Sequence, residues 1–203
     1  MDQKALEEFQ RAVEFLKAGE LVAYPTESFY ALGADPFNFK AVEKIFQTKR
    51  RDRHKAILLI IPSKERVLEL VDGIPPLAKA MMDRFWPGPL TLLFKAGKKI
   101  HPMLHGGTGK IGLRVSPHPV AQYLSRALGV ITGTSANLSG SPPMIFPEDV
   151  KRALEGKVSL VVEWGPPGLG IPSTVVDISG EEPILIREGQ ISMEEIIRVK
   201  EMG

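Results

Sequence analysis

The sequence predicts an α/β fold with a mixed sheet, because helical and strand patterns alternate along the whole chain. Apolar residues at helical spacing open the chain, and the uninterrupted apolar run at 56–61 is typical of a central strand. Gly and Pro are frequent in the segments between these elements. The sequence contains no internal repeat and no clear linker between domains. We therefore expect a single domain over residues 1–203.

The N-terminal half begins with an amphipathic helix. Leu6, Phe9, Val13 and Leu16 share one helical face, which predicts a helix over residues 3–18. Apolar runs and turn residues then predict three further elements: a buried strand at 21–25, a helix at 38–47 and the strand at 56–61.

The C-terminal half continues the alternation. A last helix begins at "SMEE", where Ser192 and Glu195 have the spacing of a capping box. The Gly- and Pro-rich stretch 164–172 is predicted to be a mobile loop. The other predicted elements are helices at 64–71, 76–85 and 118–128, and strands at 90–95, 111–115, 129–133, 158–163, 174–178 and 183–187.

Composition excludes several function classes. The net charge is only +2, so any basic function must be local. The chain has no Cys, which excludes disulfides, thiolate metal sites and a Cys nucleophile. The acidic residues near the start are unlike a signal peptide, and no apolar run approaches the roughly 18 residues of a membrane span. We expect a soluble cytoplasmic protein.

Familiar catalytic signatures are missing from the sequence. "GGTGKIG" at 106–112 lacks a hydroxyl residue after Lys110, and Leu104 occupies the first Gly position of a Walker A loop. The four His residues have no metal-ligand spacing, and there is no HExxH or GxSxG motif. No protein-held metal is predicted.

Three polar stretches remain as candidates. In "YPTESFYALG", Thr26 and Ser28 follow a buried strand at its carboxyl end, where ligands bind in open α/β sheets. An ordinary turn explains the same residues. In "TGTSANLSG", small side chains would let backbone N–H groups approach a phosphate, although a polar loop is equally consistent.

The third stretch is the basic segment "TKRRDRHKAILL". Lys49 and Arg51 are two residues apart at a predicted helix end, so in extended chain they would face one side and could hold one polyanion. A solvated basic turn is the alternative, since cations are favoured at helix C-termini.

Together these stretches resemble the YrdC family across nearly the whole chain. "PTESFYALGA" resembles its PTETxYGLGA motif, Lys49 and Arg51 match its KxR pair, and Ser135 and Asn137 match its SxN element. The remaining similar motifs, in the family's order, are "FWPGPLTLLF" (85–94), "GLRVSPHP" (112–119), "PSTVVDI" (172–178) and "ILIREG" (184–189).

The resemblance implies a YrdC/RibB-like three-layer fold, in which helices flank a twisted mixed sheet with a concave basic cleft. It also implies the activity of the short family members. These are threonylcarbamoyl-AMP synthases, which join L-threonine, bicarbonate and ATP, release pyrophosphate, and supply tRNA threonylcarbamoyl-transferase proteins. The implied magnesium ion arrives with the nucleotide. The extra C-terminal domain of long members is expected to be absent.

The resemblance also implies roles for individual residues. Lys49 and Arg51 are predicted to be catalytic, through positive charge rather than as a general base. Thr26 and Tyr30 belong to the matched motifs as supporting residues. The predicted ATP contacts are Arg51, Lys55, Ser135, Asn137 and Arg187, and the predicted L-threonine contacts are Ser28, Arg114 and Ser173.

Departures from the family pattern leave alternatives open. Ala31 replaces a Gly, so the backbone there must avoid positive φ or carry strain. Asp52 and Ala56 replace prolines. The alternatives are a YciO-like relative without this synthase activity, or a module that binds RNA or tRNA through the basic segment.

Overall fold

The computed structural model describes residues 3–202, with side chains as far as Val199. Its helices are α1 (Gln3–Lys17), α2 (Phe39–Lys49), α3 (Pro76–Phe85), α4 (Pro102–His105), α5 (Pro119–Leu128), α6 (Pro147–Ala153) and α7 (Met193–Met202), with a 3₁₀ helix at Lys64–Glu69. Its strands are β1 (Val22–Pro25), β2 (Tyr30–Gly33), β3 (Leu59–Ile60), β4 (Leu90–Lys95), β5 (Lys110–Arg114), β6 (Ile131–Thr132), β7 (Thr134–Ser135), β8 (Leu160–Val161), β9 (Thr174–Asp177) and β10 (Ile184–Arg187).

The predicted α/β class is confirmed, but the strands form two mixed sheets where the sequence predicted one. The first has the order β7-β2-β1-β8 and the second the order β10-β9-β4-β5-β3-β6. Each sheet contains parallel and antiparallel pairs. The chain passes from one sheet to the other at Gly133. Of the predicted strand 129–133, only β6 forms, in the larger sheet, and β7 follows directly in the smaller sheet.

Two apolar clusters hold the layers together. The smaller lies where α1 and α5 pack against β1 and includes Phe9, Leu16, Val22 and Leu124, all at most 1% exposed. The larger includes buried residues of both sheets and of α2 and α3, such as Leu32, Ile45, Leu92 and Met81. Burial of so many large aliphatic side chains stabilises the fold by the hydrophobic effect.

Several predicted elements differ in extent. Strand 56–61 contracts to β3, since only Leu59 and Ile60 pair with both β5 and β6. The predicted helix 64–71 is a 3₁₀ helix, and strand β2 and helices α4 and α6 were not predicted. The capping box at Ser192 is confirmed, because Ser192 N donates to Glu195 Oε2 at 3.0 Å and Glu195 N to Ser192 Oγ at 3.3 Å.

The backbone accommodates the Ala that replaces a family Gly. Ala31 lies in β2 opposite Tyr24, and Arg50 is the one non-Gly residue with positive φ among those described. The expectation that Ala31 avoids positive φ is therefore confirmed. None of the helices described has the length and apolar character needed to cross a bilayer.

Gly133 is required by close packing. A Cβ there would lie 2.7 Å from Ile60 Cγ1 in the core. We expect Gly133→Ala to lower the free energy of unfolding by about 1–3 kcal/mol, as overpacking does. Gly180→Ala is the matched control, since its Cβ would meet nothing closer than 3.9 Å. Chemical denaturation measures both, and equal stabilities would contradict the packing argument.

Candidate active site

A cavity of about 530 Å³ lies between the two sheets. Its floor is one face of the larger sheet, where residues two apart in a strand point the same way: Thr91 with Leu93, Gly112 with Arg114, and Ser173 with Val175. Its wall is the edge of the smaller sheet, where Ala31 of β2 pairs with Ser135 of β7. Both glycines in the lining, Gly112 and Gly133, keep side-chain bulk out of this space.

Most of the predicted site residues line this cavity. They are Thr26, Ser28, Tyr30, Arg51, Arg114, Ser135, Ser173 and Arg187. Lys49, Lys55 and Asn137 do not. Lys49 and Asn137 are buried beside the wall, at 1% and 7% exposure, whereas Lys55 is exposed on the surface.

Arg114 is the most deeply buried cation of the lining, at 4% exposure. Its Nη1 lies 3.2 Å from Glu27 Oε1, and the other oxygen of Glu27 accepts from the Ser116 hydroxyl. Its buried Nε has no hydrogen-bond partner among the described residues. Because Arg114 also lines the cavity, its guanidinium can bind an anionic ligand there in addition to its ion pair with Glu27.

Thr26 shapes the turn that carries Glu27 and Ser28. Its hydroxyl donates to Phe29 O at 2.8 Å and accepts from the backbone N–H groups of Ser28 and Phe29. Because small hydroxyl residues organise turns in this way, Thr26 fixes the backbone that carries Ser28 into the cavity.

Arg51 is held by neutral oxygens. Its Nη2 donates to Ala56 O at 2.7 Å and its Nε to Lys55 O at 3.3 Å. Asp52, which replaces a family Pro, contributes to this turn, because its Oδ1 accepts from His54 N at 2.9 Å. The backbone of Lys55 thus supports Arg51, while Lys55 itself is exposed and does not line the cavity.

Lys49 ties helix α2 to the segment 135–137. It is the last residue of α2 rather than part of extended chain, so the predicted alternation with Arg51 does not apply. Its Nζ donates to Asn137 O at 2.7 Å, to Asn137 Oδ1 at 3.0 Å and also to Ser135 O. The Ser135 hydroxyl in turn donates to Asn137 Oδ1 at 2.6 Å. Lys49 and Asn137 therefore position Ser135, which reaches the cavity.

Arg187 reaches the cavity through a register shift in β10. The pairing with β9 is irregular between Leu185 and Arg187, which sets Arg187 opposite Val175. Its Nη2 donates to Ser173 O at 2.9 Å and to Ser173 Oγ at 3.2 Å. Ser173 Oγ also lies 2.9 Å from Thr91 Oγ1. Thr91 was not predicted as a site residue, although a polar residue within the apolar run "LTLLF" was a usable signal.

Tyr30 has a structural role. Its hydroxyl donates to Val162 O at 2.8 Å, and burial raises its pKa. A neutral phenol committed to a backbone carbonyl is not a general base. The region described, residues 3–202, also contains no set of three or more His, Asp or Glu side chains arranged to hold a metal ion.

Burial, and to a smaller degree the positive charge of Arg51, lowers the pKa of Lys49 from 10.5 to about 7. Between these two values the unfolded chain binds more protons than the folded protein, so the free energy of unfolding should rise with pH. We expect a contribution approaching about 1.4 kcal/mol per pH unit inside that window. Denaturation curves from pH 6 to 10 measure it.

The matched variants for this measurement are Lys49→Met and Lys40→Met. Lys49→Met should lose the contribution, whereas Lys40→Met, at an exposed position of α2, should keep it. Identical pH dependence of the wild type and Lys49→Met would contradict the assignment.

Comparisons with known proteins show which family the chain resembles. The family Sua5/YciO/YrdC, described as "Telomere recombination", matches residues 14–189. A Bacillus subtilis protein named threonylcarbamoyl-AMP synthase is 37% identical over 92% of this chain and 54% of its own length. One of the same name from Vibrio parahaemolyticus is 33% identical over 91% of this chain and 100% of its own length.

Solved structures give the same result. P. abyssi Sua5 complexed with L-threonine superimposes with a TM-score of 0.91 and 34% identity, over 94% of this chain and 56% of Sua5. E. coli YciO superimposes with a TM-score of 0.84 and 28% identity, over 97% of this chain and 95% of YciO. This chain spans about half the length of the B. subtilis and P. abyssi proteins. The match over most of the chain in sequence and in structure shows that it belongs to the Sua5/YciO/YrdC family.

Proposed function

We propose that this protein is an L-threonylcarbamoyladenylate synthase, a nucleotidyltransferase that uses L-threonine, bicarbonate and ATP. The observation that carries the proposal is the convergence of Arg51, Arg114 and Arg187 on one cavity. Further support comes from the relatives named threonylcarbamoyl-AMP synthase and from the P. abyssi Sua5 complex with L-threonine.

The chemistry of this reaction requires a cationic site. The amino group of L-threonine combines with bicarbonate to give a carbamate, with loss of water. A carbamate oxygen then attacks the α-phosphorus of ATP, a new P–O bond forms, and pyrophosphate leaves. Both reactants are anions, so positive groups fixed in place before the reaction lower the barrier by stabilising the charge of the transition state.

The site divides into two halves. Arg114, with Ser28 and Ser173, would hold the amino acid, since a guanidinium can bind a carboxylate with two parallel hydrogen bonds. Arg51, Arg187 and Ser135 would hold the nucleotide phosphates. Lys49 and Asn137 would act through Ser135, by fixing the segment that presents it. Lys55 would contact ATP only by reaching over the rim from the surface.

A magnesium ion would arrive with the nucleotide. The lining contains no carboxylate side chain, and the nearby Glu27 is already paired with Arg114. The residues present therefore fit an ion coordinated by phosphate oxygens, which is how Mg²⁺ is commonly bound together with nucleotides. Proteins that transfer the threonylcarbamoyl group to tRNA would consume the product.

The alternatives have less support. YciO is less similar than P. abyssi Sua5 in identity and in TM-score. In the basic segment, Arg53 is paired with Glu43, and Lys49 is buried. This leaves Arg50, His54 and Lys55 as its exposed, unpaired basic groups for RNA. A main role in RNA binding would require affinity that falls steeply with salt.

The proposal is tested by incubating the protein with ATP, bicarbonate and L-threonine. We expect threonylcarbamoyl-AMP and pyrophosphate in equal amounts, and neither without L-threonine or bicarbonate. Mass spectrometry and a pyrophosphate assay measure them. Folded protein that binds ATP and forms neither product would refute the proposal.

Arg51→Ala tests the role of the cavity charges. We expect turnover to fall about a hundredfold or more, because a preorganised cation is lost beside the reacting phosphate. Arg53→Ala is the control two residues away, since Arg53 is exposed and paired with Glu43. Equal rates for the two variants would remove Arg51 from the reaction.

A further inference from the structure

Gln190 joins three segments next to the cavity. Its Nε2 donates to Ser28 Oγ at 3.1 Å and to Ile171 O at 2.8 Å, and its backbone N–H donates to Pro172 O at 3.0 Å. Because a backbone carbonyl can only accept, the amide nitrogen must face Ile171 and Ser28. The two hydrogens of one amide group can serve both bonds at once.

The loop 164–172 is thereby held over the turn at Ser28. Leu169 N donates to Glu27 O at 3.0 Å, and Gly170 N donates to Ser28 O at 3.1 Å. The close approach leaves no room for a side chain at Gly168, where a Cβ would lie 2.4 Å from Ser28 O. The Gln190 amide adds a side-chain bond where this loop ends, at Ile171.

The same amide sets the direction of the Ser28 hydroxyl. A hydroxyl has one hydrogen and two lone pairs. Ser28 Oγ receives Gln190 Nε2 at 3.1 Å and Arg114 Nη1 at 3.5 Å, so its own hydrogen must point elsewhere. The acceptor within the protein is Glu27 Oε1 at a long 3.4 Å, and Glu27 is already paired with Arg114. A hydrogen bond of 3.4 Å is weak, so a ligand oxygen in the cavity that approaches Ser28 more closely can take this hydrogen.

We propose that Gln190 is a positioning residue that makes Ser28 a donor to an oxygen of the amino acid and fastens the loop 164–172. The identity of the ligand in this inference rests on the proposed function. The fastening of the loop does not depend on it.

Two substitutions of Gln190 separate the orientation of the Ser28 hydroxyl from the loss of the Gln190 side-chain bonds. In Gln190→Glu the carboxylate can only accept, so the Ser28 hydrogen turns away from the cavity and Ile171 O loses its donor. In Gln190→Ala both bonds vanish but Ser28 stays free to donate to the ligand. We expect the affinity for L-threonine to fall about tenfold in Gln190→Glu, because the hydrogen bond from Ser28 to the ligand is lost. In Gln190→Ala this bond can still form, and we expect the affinity to fall only about threefold.

The direct readout is the dissociation constant of L-threonine from titration calorimetry, together with KM for each substrate and kcat. ATP affinity and kcat should stay within about twofold of the wild type. Gln10→Glu, at an exposed position of α1, controls for the added charge. Equal losses for L-threonine and ATP, or a greater loss in Gln190→Ala than in Gln190→Glu, would overturn the proposal.

Hydrogen exchange without any ligand tests the fastening of the loop. The amides of Leu169 and Gly170 should exchange about tenfold faster in Gln190→Ala than in the wild type. Unchanged exchange overturns this role. If the wild type neither binds L-threonine nor forms the adenylate, the proposed function fails, and the exchange result still decides whether Gln190 fastens the loop.

Discussion

The cations at this site are held largely by neutral oxygens. Arg51 donates to the carbonyls of Lys55 and Ala56, Arg187 to that of Ser173, and Lys49 to those of Ser135 and Asn137. A carbonyl satisfies a guanidinium N–H without cancelling its charge, whereas a carboxylate would do both. Backbone carbonyls therefore let the fold fix Arg51 and Arg187, which line the cavity, while their charge stays available to an anionic ligand.

Arg114 differs from the other cations of the site because its partner is a carboxylate, that of Glu27. Arg114 is almost fully buried between the sheets, where an isolated charge would be very costly. Glu27 supplies the partner, and Ser116 accounts for the second carboxylate oxygen. The pair balances the buried charge, while Arg114 still lines the cavity and can bind a ligand there. Glu27 thus supports the site without lining the cavity.

Local patterns in the sequence predicted the elements that depend on local interactions. Helix α1 follows from its apolar spacing and the start of α7 from its capping box, and the matched motifs contain most of the lining residues. The position of Lys49 was not predictable in this way, because its partners lie 86 and 88 residues away. Gln190 was missed for the same reason, since its contact with Ser28 spans 162 residues.

The hydrogen-bonding side chains of the cavity can present donors to a ligand. Arg187 donates to Ser173 Oγ, which leaves that hydroxyl free to donate to Thr91 Oγ1, and Gln190 donates to Ser28 Oγ. The bond from Gln190 thereby leaves the Ser28 hydrogen free to point towards the cavity, and the bond from Arg187 leaves the Ser173 hydrogen free for Thr91 or for a ligand. Arg51, Arg114 and Arg187 are donors in any case. Such a lining matches ligands made of acceptor oxygens, such as carboxylates and phosphates.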